Sequence, residues 1–188
     1  MATFRRSRSG VLSLDLKPVE ADVLASLARE VIELLDVPVR TLDPLAVELG
    51  LTDLGDADGT VGPTAPPDDE VLRRLLPDAY AATDAEASSE FRRLTERSLR
   101  ERKAAAARSV LDTLEPVAGQ GGRVQLDADG ARTWLTALND IRLALGTRLG
   151  VSDDRDVDDL AADDPDRYAW AVYDFTTHLQ ETLVRSLG

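Results

Sequence analysis

The stretch Leu138–Gly150, LNDIRLALGTRLG, reads as a helix made for an interior. At about 100° per residue, Leu138, Ile141, Leu145 and Leu149 share one arc with Trp134 and Leu135 of the turn before. Gly150 stands where such a helix would end. Arg142 projects inside that arc, between the directions of Leu149 and Leu135, with Asn139 and Gly146 on its flank and Asp140 pointing away. A guanidinium in apolar surroundings must be paired, because a lone buried charge is costly. Its own helix offers no carboxylate one turn away, so the partner must come from elsewhere, with Asp112, Glu115, Asp174 and Glu181 as candidates. Arg102, on the longest helix, is embedded in an apolar face in the same way. Arg102, Asn139 and Arg142 are therefore expected to form a structural polar network between helices; the alternative for Arg142 is an anion pocket.

Around this helix the chain reads as mainly α with a small sheet. FRRSRSGVLSLDL (4–16) has the look of a hairpin, with Leu12, Leu14 and Leu16 alternating as in a half-buried strand. Pro18 opens a helix running to about Leu35, whose core face carries Val23, Leu24, Leu27, Val31, Leu34 and Leu35. LDPLAVELG (42–50) suggests a second helix closed by Gly50, and 52–68, rich in Gly, Pro and Asp, a flexible loop. DDEVLRRLLPDAY (68–80) gives a short helix with acids at its start, as the helix dipole favours. The longest helix spans about Ser88 to Leu114. GQGG then breaks the chain, RVQLD reads as a third strand, and Asp127 caps the helix of the opening stretch. After an acidic loop, 152–166, comes a last helix, RYAWAVYDFTTHLQETLVRSL (167–187). The expectation is one helical domain over 1–188 with a β-hairpin or three-stranded antiparallel sheet.

With 188 residues the chain can bury a core without staples, and it has no cysteine. Disulfides, thiol nucleophiles, cysteine zinc sites and thiol switches are excluded within it. One histidine rules out a histidine-rich metal centre within a single chain. The start, MATFRRSRSG, lacks the apolar run of a secretory signal. No stretch approaches the ~20 apolar residues of a membrane span, so a cytoplasmic protein is expected. The net charge of −13 is concentrated in 52–70, with six acids and no base, and 152–166, with eight aspartates against Arg155. The remainder is neutral, and a local basic surface is not excluded.

No motif specifies an enzyme, and no catalytic, cofactor-binding or metal-binding residue is assigned. Asp154, Asp156 and Asp158 match EF-hand positions one, three and five. The sixth position is Asp159 instead of Gly and the twelfth is Pro165 instead of Glu, so the match fails. GQGG has neither phosphate-loop nor dinucleotide spacing. His178, four residues after Asp174, suits a surface pair. On the longest helix, Phe91, Leu94, Thr95, Ser98, Leu99, Ala105, Ala106, Val110 and Thr113 take one face, and Arg93, Arg97, Arg100 and Arg108 lie opposite, flanked by Glu90 and Glu115. That arginine stripe is either a partner-binding face or a solvated side paired with nearby acids. The last helix has two seams: Tyr168, Val172, Phe175, Leu179 and Leu183, and, roughly opposite, Trp170, Tyr173, Thr177 and Val184. Either it is sandwiched within the fold, or the aromatic seam is a homodimer interface.

LLPDAY, EFRRLTERSLRERKAAAARSVLDTL, LNDIRLALGTRLGV and HLQETLVRSL together resemble the actinobacterial AosR-like family, a domain family of otherwise unknown function. The resemblance covers most of the chain outside the two acidic segments. It implies a regulator of transcriptional responses to oxidative stress that associates with a sigma factor and RNA polymerase, with no cofactor and no active site to transfer. It also implies a genomic setting of ClpS-type adaptor and sulfur-carrier-dependent cysteine synthesis genes, hence the alternative of a dimeric interaction module serving proteolysis or sulfur metabolism. Redox sensing in the family is attributed to a cysteine pair, which this sequence lacks, so the thiol switch does not carry over. No helix-turn-helix sequence points to direct DNA binding, although a winged arrangement of hairpin and helices stays open.

Overall fold

A computed structural model describes residues 1–35, 63–80, 84–151 and 164–188. Among them are strands β1 (Arg5–Arg6), β2 (Leu12–Leu16) and β3 (Gly122–Leu126). The helices are α1 (Pro18–Leu35), α2 (Glu70–Leu75), α3 (Ala85–Leu114), α4 (Ala128–Leu149) and α5 (Arg167–Leu187). The protein is mainly α with a small antiparallel sheet, as the sequence predicts. The helix expected over 42–50 and the acidic triplet at Asp154, Asp156 and Asp158 lie outside the described residues.

The three strands pair in the order β1-β2-β3, with Arg5 opposite Ser13 and Leu14 opposite Val124. Leu12, Leu14 and Leu16 face inward with Val124 and Leu126, the period-two alternation of a one-sided sheet. Gly121 (φ +71°) turns the chain into β3 so tightly that a Cβ would sit 2.6 Å from the Leu16 carbonyl oxygen. Only glycine takes that conformation at that distance.

Helix ends follow the local chemistry. Asp69, Asp84 and Asp127 each accept a hydrogen bond from a first-turn backbone N–H, at Leu72, Ala87 and Gly130. Asp84 starts α3 three residues earlier than the apolar periodicity indicates. At the end of α4, Gly150 adopts φ +63°, with its N–H donating to Thr147 and the Val151 N–H to Gly146, closing the helix.

The stretch quoted first is the centre of the packing: α4 touches α1, α2, α3 and α5. Trp134, Leu138 and Ile141 are essentially inaccessible, and Phe4 meets Trp134 edge-on at 5.8 Å. The buried arc of α4 is nevertheless turned from the one expected. Ala137, Asp140 and Ala144 lie inside, Leu145 only partly so, and Asn139 is exposed. On the last helix, Tyr168 is exposed and leaves the first seam.

Candidate functional site

The first half of α3 buries ions where the sequence pattern suggests an apolar face. Arg92 and Glu96 are interior and paired with each other. Arg92 also reaches Asp78 at 2.6 Å and donates to the Leu76 carbonyl at 3.1 Å. Glu96 holds Arg100 as well, at 2.8 Å, and Arg100 donates to the Leu35 carbonyl. One turn on, Lys103 meets Asp140 of α4 at 2.6 Å. Asp140 is 1% exposed, and burial raises its carboxyl above the ordinary value, with the Lys103 hydrogen bond pulling the other way. The buried charges fall into two sets: Arg92, Glu96 and Arg100 of α3 with Asp78, and the separate Lys103–Asp140 pair that joins α3 to α4. Arg102 and Asn139 are solvent-exposed and join neither. The spacing of Arg92, Glu96 and Arg100 at successive fourth positions was the signal available for the first set.

This inward turn places apolar side chains outside. Leu94 is 65% exposed and Phe91 is 45% exposed, where a buried face is expected from sequence. Tyr80, also exposed, meets Phe91 edge-on at 6.0 Å. The four arginines of the stripe divide. Arg100 belongs to the buried network and is withdrawn from any docking face. Arg93 pairs with Glu90 at 2.5 Å and Arg97 with Glu101 at 3.3 Å, both still partly open to solvent. Arg108 is exposed and has no ion pair among the described residues. Phe91, Leu94, Arg97 and Arg108 together line the solvent side of α3.

Arg142 finds none of the carboxylates expected for it. Its Nε donates to Thr177 Oγ1 at 2.9 Å and its Nη1 to Gln180 Oε1 at 2.7 Å, while its guanidinium lies 5.6 Å from the Tyr173 ring centre. It therefore clasps α4 to α5 through neutral partners. In the second seam Trp170 is only 2% exposed within the single chain, Tyr173 and Thr177 are half-buried, and Val184 is 51% exposed. The ring of His178 is hydrogen-bonded to Thr3 Oγ1 at 3.2 Å, tying α5 to the N-terminal arm. Among the described residues no group of three His, Asp or Glu side chains could hold a metal, and no helix is long and apolar enough to cross a membrane.

Comparison with known proteins adds the family. A domain of unknown function, DUF2017, matches residues 1–187. The chain is 35% identical over 183 residues to the oxidative stress regulator AosR of Mycobacterium tuberculosis (strain ATCC 25618 / H37Rv), covering 90% of this chain and 78% of that protein. A Mycobacterium bovis protein of the same name matches equally. A putative oxidative stress regulator AosR of Mycobacterium leprae is 39% identical over 134 residues, 64% of this chain and 59% of the other. No solved structure matches.

Proposed function

The chain belongs to the DUF2017 family, and on that premise we propose that it is a cytoplasmic, non-enzymatic regulator that binds the transcription machinery, a sigma factor or RNA polymerase, through the solvent side of α3. The relatives named as oxidative stress regulators support a regulatory role. The observation that carries the docking face is the exposure of Leu94 and Phe91 beside Arg93 and Arg97, with exposed Arg108 about four turns further along the same helix. An apolar and aromatic centre with arginine around it is the composition of a protein interface, and the core makes no use of these side chains. With no cysteine, these 188 residues carry no thiol of their own through which to sense an oxidative signal.

The test is direct binding of the purified protein to its host's RNA polymerase core and sigma factors, measured by biolayer interferometry at two salt concentrations. The wild type is expected to bind, more weakly at higher salt. An Arg93→Glu/Arg97→Glu/Arg108→Glu variant and a separate Leu94→Asp variant should each lose at least tenfold in affinity with unchanged circular dichroism. Equal binding by both folded variants would move the interface elsewhere. No binding by the wild type to core or any sigma factor would refute the transcriptional partner.

A further inference from the structure

The chain treats its inward cations in two ways. Arg92, Arg100 and Lys103 are each neutralised by a carboxylate. Arg142, also partly buried, is oriented by Thr177 and Gln180 and stacked by Tyr173, yet has no carboxylate partner among the described residues. It opens onto a cleft of about 600 Å³ between α2 and the last turns of α4, walled also by Arg73, Arg74, Glu70 and Thr147. Arg73 is fixed in the same manner, its Nε and Nη2 donating to the carbonyls of Pro67 and Asp68 at 3.0 and 2.8 Å. Those bonds set its direction, and no carboxylate among the described residues pairs with it. Arg74 has no ion pair among the described residues. Among the described residues, three arginines thus face one glutamate in this cleft. Gly146 lets the Tyr173 ring close against α4, since a Cβ there would stand 3.3 Å from the ring edge. That approach keeps the ring beside the guanidinium.

From this geometry we propose that the α2–α4–α5 cleft is a binding site for a small polyanion, carrying a phosphate or a pair of carboxylates, with Arg142 as its fixed anchor and Arg73 and Arg74 as its mouth. Guanidinium groups held in place by neutral acceptors meet an oxyanion without first breaking an ion pair, and their planar fork suits two-point contact. The volume is that of a small-molecule site. The site is separate from the α3 face and stands whether or not that face binds the transcription machinery.

Inorganic pyrophosphate and citrate serve as probes, titrated by calorimetry and by the Arg Nε–H resonances in ¹⁵N NMR, against potassium chloride of equal ionic strength. At least one probe should bind saturably and shift the Arg142 resonance; pyrophosphate alone would assign the phosphate source, citrate alone the carboxylate source. Arg74→Gln, at an exposed position, should weaken binding at least fivefold with the fold intact, and Arg142→Gln at least tenfold. Arg132→Gln, on the outer side of α4, should leave it unchanged. The proposal is overturned if neither probe exceeds the chloride control, or if Arg74→Gln and Arg142→Gln bind as the wild type does.

Discussion

Glu96 holds two guanidiniums at once while almost wholly removed from water. Removing it leaves Arg92 buried with Asp78 and the Leu76 carbonyl, and Arg100 with only a carbonyl. Breaking a buried pair from one side is expensive, so Glu96→Ala should cost about 3–5 kcal/mol in urea unfolding. Arg93→Ala, which breaks an exposed pair on the same helix, should leave the midpoint unchanged. Asp140 makes a different prediction, about pH. Burial, outweighing the Lys103 hydrogen bond, raises its carboxyl above the 3.8 of an unperturbed aspartate. The folded protein therefore keeps that proton to higher pH than the unfolded chain does, and stability falls as pH climbs from 3.8 through the raised value. Asp15 and Glu90 act oppositely, since hydrogen bonds from Arg123 and Arg93 lower their carboxyls; their contribution is lost as pH falls. Asp140→Asn shares those two groups and lacks the first slope. Urea melts from about pH 4 to 7 should show the wild type losing stability relative to Asp140→Asn as pH rises. A constant difference would mean that the carboxyl ionises without penalty.

At the scale of elements, the boundaries were written in the sequence and the rotations were not. Pro18, Asp127 and Gly150 act through their own backbone chemistry, so α1 begins, and α4 begins and ends, where single residues indicate. Which side of a helix faces inward depends on what lies opposite, and there size misleads. On α4, Leu135 and Leu145 draw the apparent apolar arc toward themselves, while the packed side holds Ala137 and Ala144, where neighbouring helices come close. The same happens on α3, where Ala104, Ala106 and Ala107 are buried and Phe91 and Leu94 are not. Asp140 thereby turns inward and Asn139 outward. Of the candidate site, Arg142 was legible as an anomaly on an apolar arc; its neutral partners on α5 were not, because register between helices is a tertiary property. The junction between sheet and helix offers a sharp test. Gly121→Ala would place its Cβ against Leu16 O and the Pro18 ring, both backbone-anchored, in a left-handed conformation. It should cost more than the roughly 1–2 kcal/mol of the conformation alone, measured as a shift in the thermal midpoint. A loss below that would show the β2–α1 corner to be pliable.

Across the whole molecule, one hydrophobic cluster runs from the sheet through α1, α3 and α4 to α5, so the parts are not expected to unfold separately. The N-terminal arm shows how far that coupling reaches. Phe4 is buried against Trp134 of α4, and its backbone N–H donates to Thr182 Oγ1 while its carbonyl accepts from Ser186 Oγ, both on α5. Trp134 in turn donates to Thr113 of α3 at 3.4 Å. One aromatic pair therefore joins the N-terminal arm, two central helices and the last helix. Truncating Phe4 to alanine removes the ring and leaves a cavity beside an indole that cannot shift without disturbing α3, so Phe4→Ala should cost about 3–5 kcal/mol. If the cluster is one cooperative unit, tryptophan fluorescence and circular dichroism will follow the same, earlier transition in that variant. If the arm is a separable attachment, fluorescence will change first and the helical signal will hold. The distinction matters for the proposed α3 docking face, because a rigid core is what would keep Leu94, Arg97 and Arg108 in one fixed arrangement.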